Sequence, residues 1–422
     1  MALPQRHMLA TVTLRILGGA AATLPPLIAL AWLDRAQYGH AMANYAIALL
    51  LIGPLSQFLT QGYLRELLNG KGAAGAGPCG TSMVHVYALI CILALCLAAT
   101  TSIISWADAA IVAIMVAISV LSRMQEAWLV ATRHQNLAML LFYVLPPLVH
   151  SALILAVHAS GEVNDFWSVA LSQIVAYGGC LVASVLLAAG AAGRRLLLPV
   201  TARGVVEWRR EFAAVRHFLA SGALLSTTEQ VPIVFLNAFG LGAVIPSFEL
   251  ARKIASVPYV FIHALNMHMM PDLVRYAGEN AWTQFRAVLA RFTLVSGSIG
   301  SLYAGMVLVG VFALQGYADT ANPIDTTMYV LLLCGAIVTA VGAPAGSGLV
   351  ALNGETWWTL AASISLAVQL AISVLALGPL GALAIPASIL AQIIVLRCIL
   401  AVGTALLFAN REKQDAAFQG AS

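Results

Sequence analysis

Residues 82–105 read SMVHVYALICILALCLAATTSIIS, and from Ser82 to Ser105 there is no Asp, Glu, Lys or Arg. A helix of that length rises about 36 Å, enough to cross a hydrocarbon layer of about 30 Å. The apolar run is continuous and does not alternate with period two, so it reads as a helix and not as a strand of a membrane barrel. Working outward from it, similar runs recur along the 422-residue chain, near 11–32, 41–63, 109–131, 137–158, 166–190, 217–239, 246–271, 290–314, 325–349, 356–377 and 381–409. The composition agrees: 61% of residues are hydrophobic, 9% are charged, and mean hydropathy is +0.91. About twelve spans of about 22 residues use most of the chain and leave no room for a separate soluble catalytic domain. The expected fold is an all-α integral membrane protein with about twelve transmembrane helices.

Charge sets the expected orientation. With the N-terminus cytoplasmic, the inner loops collect Arg6, Arg65, Lys71, Arg133, the arginines of 191–216, Arg275, Arg286, Arg291, Arg411 and Lys413, while the outer side holds Arg35 alone. That asymmetry and an even number of spans place both termini in the cytoplasm. The net charge of +4 therefore matters for topology and gives no reason to expect a nucleic-acid partner. The opening residues lack a cleavage site at the expected distance, so the first apolar run reads as a retained helix. Six scattered cysteines form no CxxC pair or Cys/His cluster, which leaves no metal or cofactor expected.

The longest connection, 191–216, carries Arg194, Arg195, Arg203, Trp208, Arg209, Arg210 and Arg216 and suits a basic cytoplasmic linker lying on anionic headgroups. It divides the chain into an N-terminal lobe, 1–190, and a C-terminal lobe, 217–422, with a short cytoplasmic tail. Shifting the halves by 203 positions aligns Gly19 with Gly222, Leu33 with Leu236, Gly39 with Gly242, Tyr45 with Phe248 and Ala48 with Ala251. Six spans per half return each repeat to the same side. The expectation is two six-helix lobes related by a pseudo-twofold along the membrane normal, around a central cavity.

Leu33-Asp34-Arg35-Ala36-Gln37-Tyr38-Gly39, followed by Tyr45 and a helix ending Gln61-Gly62-Tyr63-Leu64-Arg65, resembles the opening of the polysaccharide flippases. Ser221 through Gly240, Phe248, Glu249, Ala251, Arg252 and Lys253 to Pro271 resembles the start of that family's second half. Ala351-Leu352-Asn353-Gly354 and the turn Gly378-Pro379-Leu380-Gly381-Ala382 are similar to its last two connections. These are the O-antigen and exopolysaccharide translocases, related to lipid II flippases and to the drug-exporting MATE transporters. The resemblance implies a two-lobe bacterial inner-membrane transporter. It would carry an undecaprenyl-pyrophosphate-linked oligosaccharide from the cytoplasmic to the periplasmic leaflet by alternating access. Its expected partners are that lipid-linked oligosaccharide, the membrane lipids, a polysaccharide polymerase and other assembly proteins, with the transporter itself a monomer.

An ionisable group in hydrocarbon costs roughly 2.5–3.5 kcal/mol on insertion scales, so each one within a span demands a reason. Arg15 either snorkels from helix 1 or faces the cavity, and the flippase resemblance favours the cavity. Arg252 and Lys253 follow Glu249 by three and four residues, an intrahelical pairing distance, yet one carboxylate cannot neutralise two bases. Arg15, Arg252 and Lys253 are the candidate substrate-binding cations for pyrophosphate or an acidic sugar. Glu229, in the polar turn Thr227-Thr228-Glu229-Gln230, and Glu249 are candidate coupling or ion-pairing groups. Arg123 with Glu126 reads as a local pair, and Arg397 as packed against neighbouring carbonyls. Gly18, Gly19, Pro25 and Pro26 in helix 1 and Pro232 in helix 7 are candidate bending points. No catalytic residue is expected.

Absent signals narrow the function further. There is no GxxxxGK[ST] loop for nucleotide hydrolysis and no DxD-type carboxylate cluster, and no outer loop is long enough for polymerase or glycosyltransferase chemistry. A lipid-linked oligosaccharide flippase leads. The alternatives are a cation-coupled multidrug exporter of the same fold and a membrane O-antigen polymerase or glycosyltransferase.

Overall fold

The computed structural model describes residues 13–14, 17–57, 78–101, 104–131, 134–160, 166–187, 220, 222–315, 326–352 and 354–419. They form twelve helices and no strand. In the first part of the chain these are α1 (Leu17–Trp32), α2 (Arg35–Gln57), α3 (Pro78–Thr100), α4 (Trp106–Ala131), α5 (Gln135–Met139, Leu140–Val144 and Leu145–Ala159), α6 (Phe166–Leu187) and α7 (222–238). There follow α8 (Ile245–Gly278), α9 (Trp282–Gln315), α10 (Thr326–Ala351), α11 (Glu355–Leu375) and α12 (Ala384–Gln419). Each of the spans expected from the apolar runs is met by a helix. Eight of them are long and apolar enough to cross a membrane by themselves. The helices α8, α9 and α12 outrun their apolar runs by several residues, and the added turns of α8 and α9 set the buried Leu273 and Phe285 beside exposed polar residues.

Side-chain exposure follows membrane logic. On α9, Leu294, Leu302, Met306 and Val309 are each at least 60% exposed, whereas Phe285, Phe292, Ser296 and Ala304 on its other side are fully buried. A large apolar stripe of that kind is compatible with lipid and not with water. The chain is a multi-pass membrane protein.

Two compact units are distinguished, 1–246 and 247–422. In the first, Ala48, Ile52 and Leu55 of α2 pack with Cys91 and Leu95 of α3 and Met115, Val116 and Val120 of α4. α7 belongs to this unit too and lies against α2 through small residues. A Cβ on Gly39 would collide with the carbonyl of Gly242, and one on Gly53 would collide with the Ser226 side chain. Gly39 and Gly242, aligned by the internal repeat, are thus neighbours in space. Without a hydrophobic effect between lipid-bathed helices, such close backbone approach is what holds them together.

The second unit uses the same device. Ser296 on α9 donates to the carbonyl of Ala340 on α10 at 2.7 Å, and Thr404 on α12 donates to the carbonyl of Ala345 at 2.7 Å. Leu349, Ala361 and Leu400 join α10, α11 and α12. At one end, Trp282, Phe285 and Phe408 form an aromatic cluster beside Leu273 and Leu352. The turn before α12 is tight because Gly381 takes φ 54°, a left-handed conformation that side-chain-bearing residues resist. The 191–216 linker lies outside the described residues.

The contact of Gly39 on α2 with Gly242, in the 3-10 turn after α7, yields a graded prediction. Gly39→Ala meets backbone and should destabilise the purified protein by about 2–3 kcal/mol. Gly242→Ala meets the Asn237 side-chain oxygen at 3.3 Å and the Ala36 carbonyl oxygen at an ordinary 3.7 Å, and should cost clearly less. Thermal melts in one detergent check the order, and equal melting temperatures for the two variants would refute it.

Candidate functional site

The polar groups of the first unit gather at two levels. At the end where α1 turns into α2, Asp34 caps α2, its Oδ1 accepting from the backbone N–H of Ala36 at 2.8 Å and of Gln37 at 3.2 Å. One turn further along, Asp108 Oδ1 accepts from Asn44 Nδ2 at 2.6 Å and lies 3.0 Å from His40 Nε2. Ser105 Oγ donates to Asp108 Oδ2 at 2.6 Å while the Asp108 N–H returns to Ser105 Oγ at 3.0 Å, a reciprocal cap on the start of α4. Asn237, at the end of α7, comes within 3.5 Å of His40 Nδ1. This knot ties α2, α4 and α7 at one level. The sequence reading left His40, Asn44 and Asn237 unmarked. No local pattern marks them, since the partners lie 64 or more residues apart in the chain.

The second level is inside the helices. Arg123 Nη1 donates to Glu126 Oε2 at 2.8 Å and to the Tyr143 hydroxyl at 2.7 Å, and the same hydroxyl donates to Glu126 Oε1 at 2.7 Å. The guanidinium also lies over the Tyr143 ring, 5.6 Å from its centre. The pairing of Arg123 with Glu126 is as the spacing suggested, but the third member was missed. Tyr143 sits on the π-helical turn Leu140–Val144, which directly precedes Pro146 and Pro147 at the start of the next α-helical segment. The two prolines donate no backbone hydrogen bond, and the wider turn absorbs the mismatch and re-aims Tyr143. Such a turn has no signature in apolar periodicity.

Helix α1 approaches this triangle. A Cβ on Gly18 would stand 3.1 Å from the Tyr143 carbonyl oxygen, whereas Gly19 faces open space. α1 is interrupted at residues 22–23, and Pro25 and Pro26 follow Leu24 in the first turn of its second segment. The prolines therefore start a helix and do not kink one from within, which corrects the expectation that they remove ladder bonds inside it. Pro232 lies within α7, which is helical throughout 222–238. Arg15 lies outside the described residues. Glu229 is on an exposed position of α7, while its neighbours Thr227 and Thr228 donate back to the carbonyls of Ala223 and Leu224.

In the second unit, Arg252 Nη2 lies 3.3 Å from Glu249 Oε1 and its guanidinium stands 5.8 Å from the Phe248 ring centre. Glu249 is buried; Arg252 and Lys253 are half-buried on the same turn. The turn thus carries one carboxylate for two bases, as its sequence requires. Arg397 belongs to α12, and its Nε is sealed off with no hydrogen-bond partner. The expectation that it is satisfied by packing against carbonyls is not met at that atom. Arg286 pairs with Glu412 at 2.7 Å and Arg275 with Asp272 at 3.0 Å on exposed surface. Among the described residues no three His, Cys, Asp or Glu side chains are placed to hold a metal ion.

No protein-family model and no curated protein matches the sequence. Solved structures do share its fold. An inward-facing multidrug resistance MATE family transporter of the MOP superfamily superposes with a TM-score of 0.64 at 12% identity, over 93% of this chain and 98% of that one. An outward-facing MATE transporter gives 0.63 at 13%, over 97% of each chain. A point mutant of a Vibrio cholerae MATE transporter gives 0.53 at 14%, over 94% of this chain and 96% of that one. The chain therefore has the MATE-like fold of twelve transmembrane helices in two lobes.

The Arg123–Glu126–Tyr143 triangle predicts strong non-additivity. Glu126→Ala strands a guanidinium and should destabilise by about 3 kcal/mol, while Arg123→Met with Glu126→Leu should recover most of that loss. A thermal double-mutant cycle checks it, and additive effects would contradict a shared charge network.

Proposed function

We propose that this protein translocates a lipid-linked oligosaccharide bearing a diphosphate from the cytoplasmic to the periplasmic leaflet of a bacterial inner membrane, for O-antigen or exopolysaccharide synthesis. The fold is that of transporters, which supports alternating access without covalent chemistry. One observation carries the choice of cargo: the sign of the charges kept within the spans. Residues 36–57 and 78–101 contain no Asp or Glu, and neither does α1. Deeper in the helices, Glu126 is held by Arg123 and Glu249 by Arg252. The excess is cationic by count, with Arg15, Lys253 and Arg397 beyond those pairs against Glu229 of α7. A membrane-embedded surplus of positive charge favours an anionic cargo and disfavours a cationic one.

In this reading the diphosphate and sugar are drawn to Arg15 and to the Arg252–Lys253 turn, and Glu229 and Glu249 set the local charge balance. The interrupted α1, with Gly18 against Tyr143, is where bending changes access. An inside-negative potential assists an outgoing anion by about 2.3 kcal/mol per charge per 100 mV. The two six-helix halves joined by the basic linker, the cytoplasmic termini, the monomeric state and the association with a polymerase and other assembly proteins belong to the same proposal. A multidrug exporter is the second reading, favoured by the multidrug resistance transporters among its structural neighbours. It requires a titratable or ion-binding carboxylate, and α1 to α3 supply none among the described residues.

Cells lacking the gene should accumulate lipid-linked repeat units on the cytoplasmic leaflet. The wild type should clear them. Arg15→Ala, Arg252→Ala and Lys253→Ala, at equal membrane expression, should each slow clearance by tenfold or more, as expected when about 1.4 kcal/mol of anion stabilisation is lost. Normal delivery of repeats in the deletion strain, with sensitivity to cationic drugs as its phenotype, would reverse the assignment in favour of the exporter.

A further inference from the structure

Arg397 is an intramembrane cation outside the pairs described above, and its Nε has no hydrogen-bond partner. Its stem is laid flat against α10 where that helix has no side chain: a Cβ on Gly342 would stand 2.8 Å from the Cβ, Cγ and Cδ of Arg397. Gly335, two turns earlier on the same face, meets Ile393 of α12. Thr339 lies between these two glycines at helical spacing, so it faces α12 at the level of Arg397. Tyr259 of α8 reaches the same point, donating its hydroxyl to Thr339 Oγ1 at 3.0 Å, and it is near enough to Arg397 to interact with it electrostatically. Depth along each helix agrees. Counted from the first residue of its helix at 1.5 Å per residue, Tyr259 lies about 21 Å in, Gly342 about 24 Å and Arg397 about 20 Å. Three helices thus bring a guanidinium and two hydroxyls together deep in the membrane-spanning part of one unit.

A cation there needs a counter-charge. The second unit provides none. There is no Asp or Glu in 250–271, 282–315, 326–351, 356–375 or 384–411. Glu249 lies about 15 Å from Tyr259 along α8 and is engaged by Arg252, and Glu412 lies about 22 Å from Arg397 along α12 and is engaged by Arg286. Arg397 Nε–H remains sealed and unfilled. Among the described residues, no carboxylate on the spans of this unit stands at the level of Arg397, which leaves room for a mobile anion as its partner.

We propose that Arg397, Thr339 and Tyr259 form an oxyanion-binding site inside the second unit, with a phosphoryl group as ligand. The guanidinium fork matches two oxygens of a tetrahedral phosphoryl group, and an ammonium would not. Thr339 accepts from Tyr259 and keeps its own hydroxyl proton to donate to a further oxygen. Gly342 is the device that orients the fork, by holding the stem against bare backbone. The ligand is either a free phosphate ion or the diphosphate end of a lipid, which share this chemistry. The site does not depend on which cargo the transporter carries.

The test is ligand-dependent melting of the full-length protein in nanodiscs without added phosphate, titrated in separate arms with inorganic pyrophosphate and with a short-chain polyprenyl diphosphate. The wild type is expected to show a saturable rise in Tm in at least one arm. If inorganic pyrophosphate suffices the site takes the free ion, and if only the lipid works it takes the headgroup. Arg397→Gln should abolish the rise, and Arg397→Lys should raise the apparent Kd at least tenfold. Gly342→Ala, which keeps every charge, should weaken binding as well, and Arg286→Gln should leave it unchanged. The proposal is overturned if the wild type responds in neither arm, or if Arg397→Gln or Arg397→Lys binds as the wild type does.

Discussion

Charge compensation in a medium that cannot hydrate ions governs this structure more than any single packing contact. Most of the chain is apolar enough that its helices would be indifferent to one another in lipid, and burial alone specifies no arrangement. What distinguishes one packing from another is where the few polar groups find partners. The Arg123–Glu126–Tyr143 triangle joins α4 to α5, the Asp108 knot joins α4 to α2 and α7, and Ser296 and Thr404 pin α9 and α12 to backbone carbonyls of α10. Glycines set on the facing surfaces let the backbones come close enough for those bonds to form.

The same constraint separates charges neutralised by a local partner from those left in excess by count. A cation with a near carboxylate and a phenol, as at Arg123, is neutralised locally and serves as a joint between helices. A turn with one carboxylate and two bases, as at Glu249, Arg252 and Lys253, retains a positive balance within the unit. The surplus fits an anionic cargo and fits the absence of acidic residues from α1 to α3 among the described residues. The fold by itself is shared with drug transporters. Discrimination between cargoes therefore rests on the sign of the embedded charge.

The helices were legible from the sequence because membrane spans announce themselves by length and continuity, as in 82–105. Their ends were less so, since the extra turns of α8 and α12 are too polar in sequence to extend an apolar run. Local pairs such as Glu249 with Arg252 could be read from spacing. Tyr143 could not, because its direction depends on a π turn, and His40, Asn44 and Asn237 could not, because their partners are distant in the chain. The proline pair in α1 reads in sequence as a break within a helix, whereas the structure sets it in the first turn of a segment that follows an interruption. Arg397 was the instructive error, since packing explains its stem at Gly342 but leaves its Nε without a partner.

Direct translocation in a reconstituted system bears most closely on cargo sign. Proteoliposomes holding the purified protein and a polyprenyl-diphosphate oligosaccharide, with a membrane potential imposed, can be followed by accessibility of the sugar to an impermeant lectin. Our account predicts protein-dependent movement of the sugar between leaflets, accelerated when the destination side is positive. Absence of such movement in vesicles that do export a cationic drug against its gradient would contradict it.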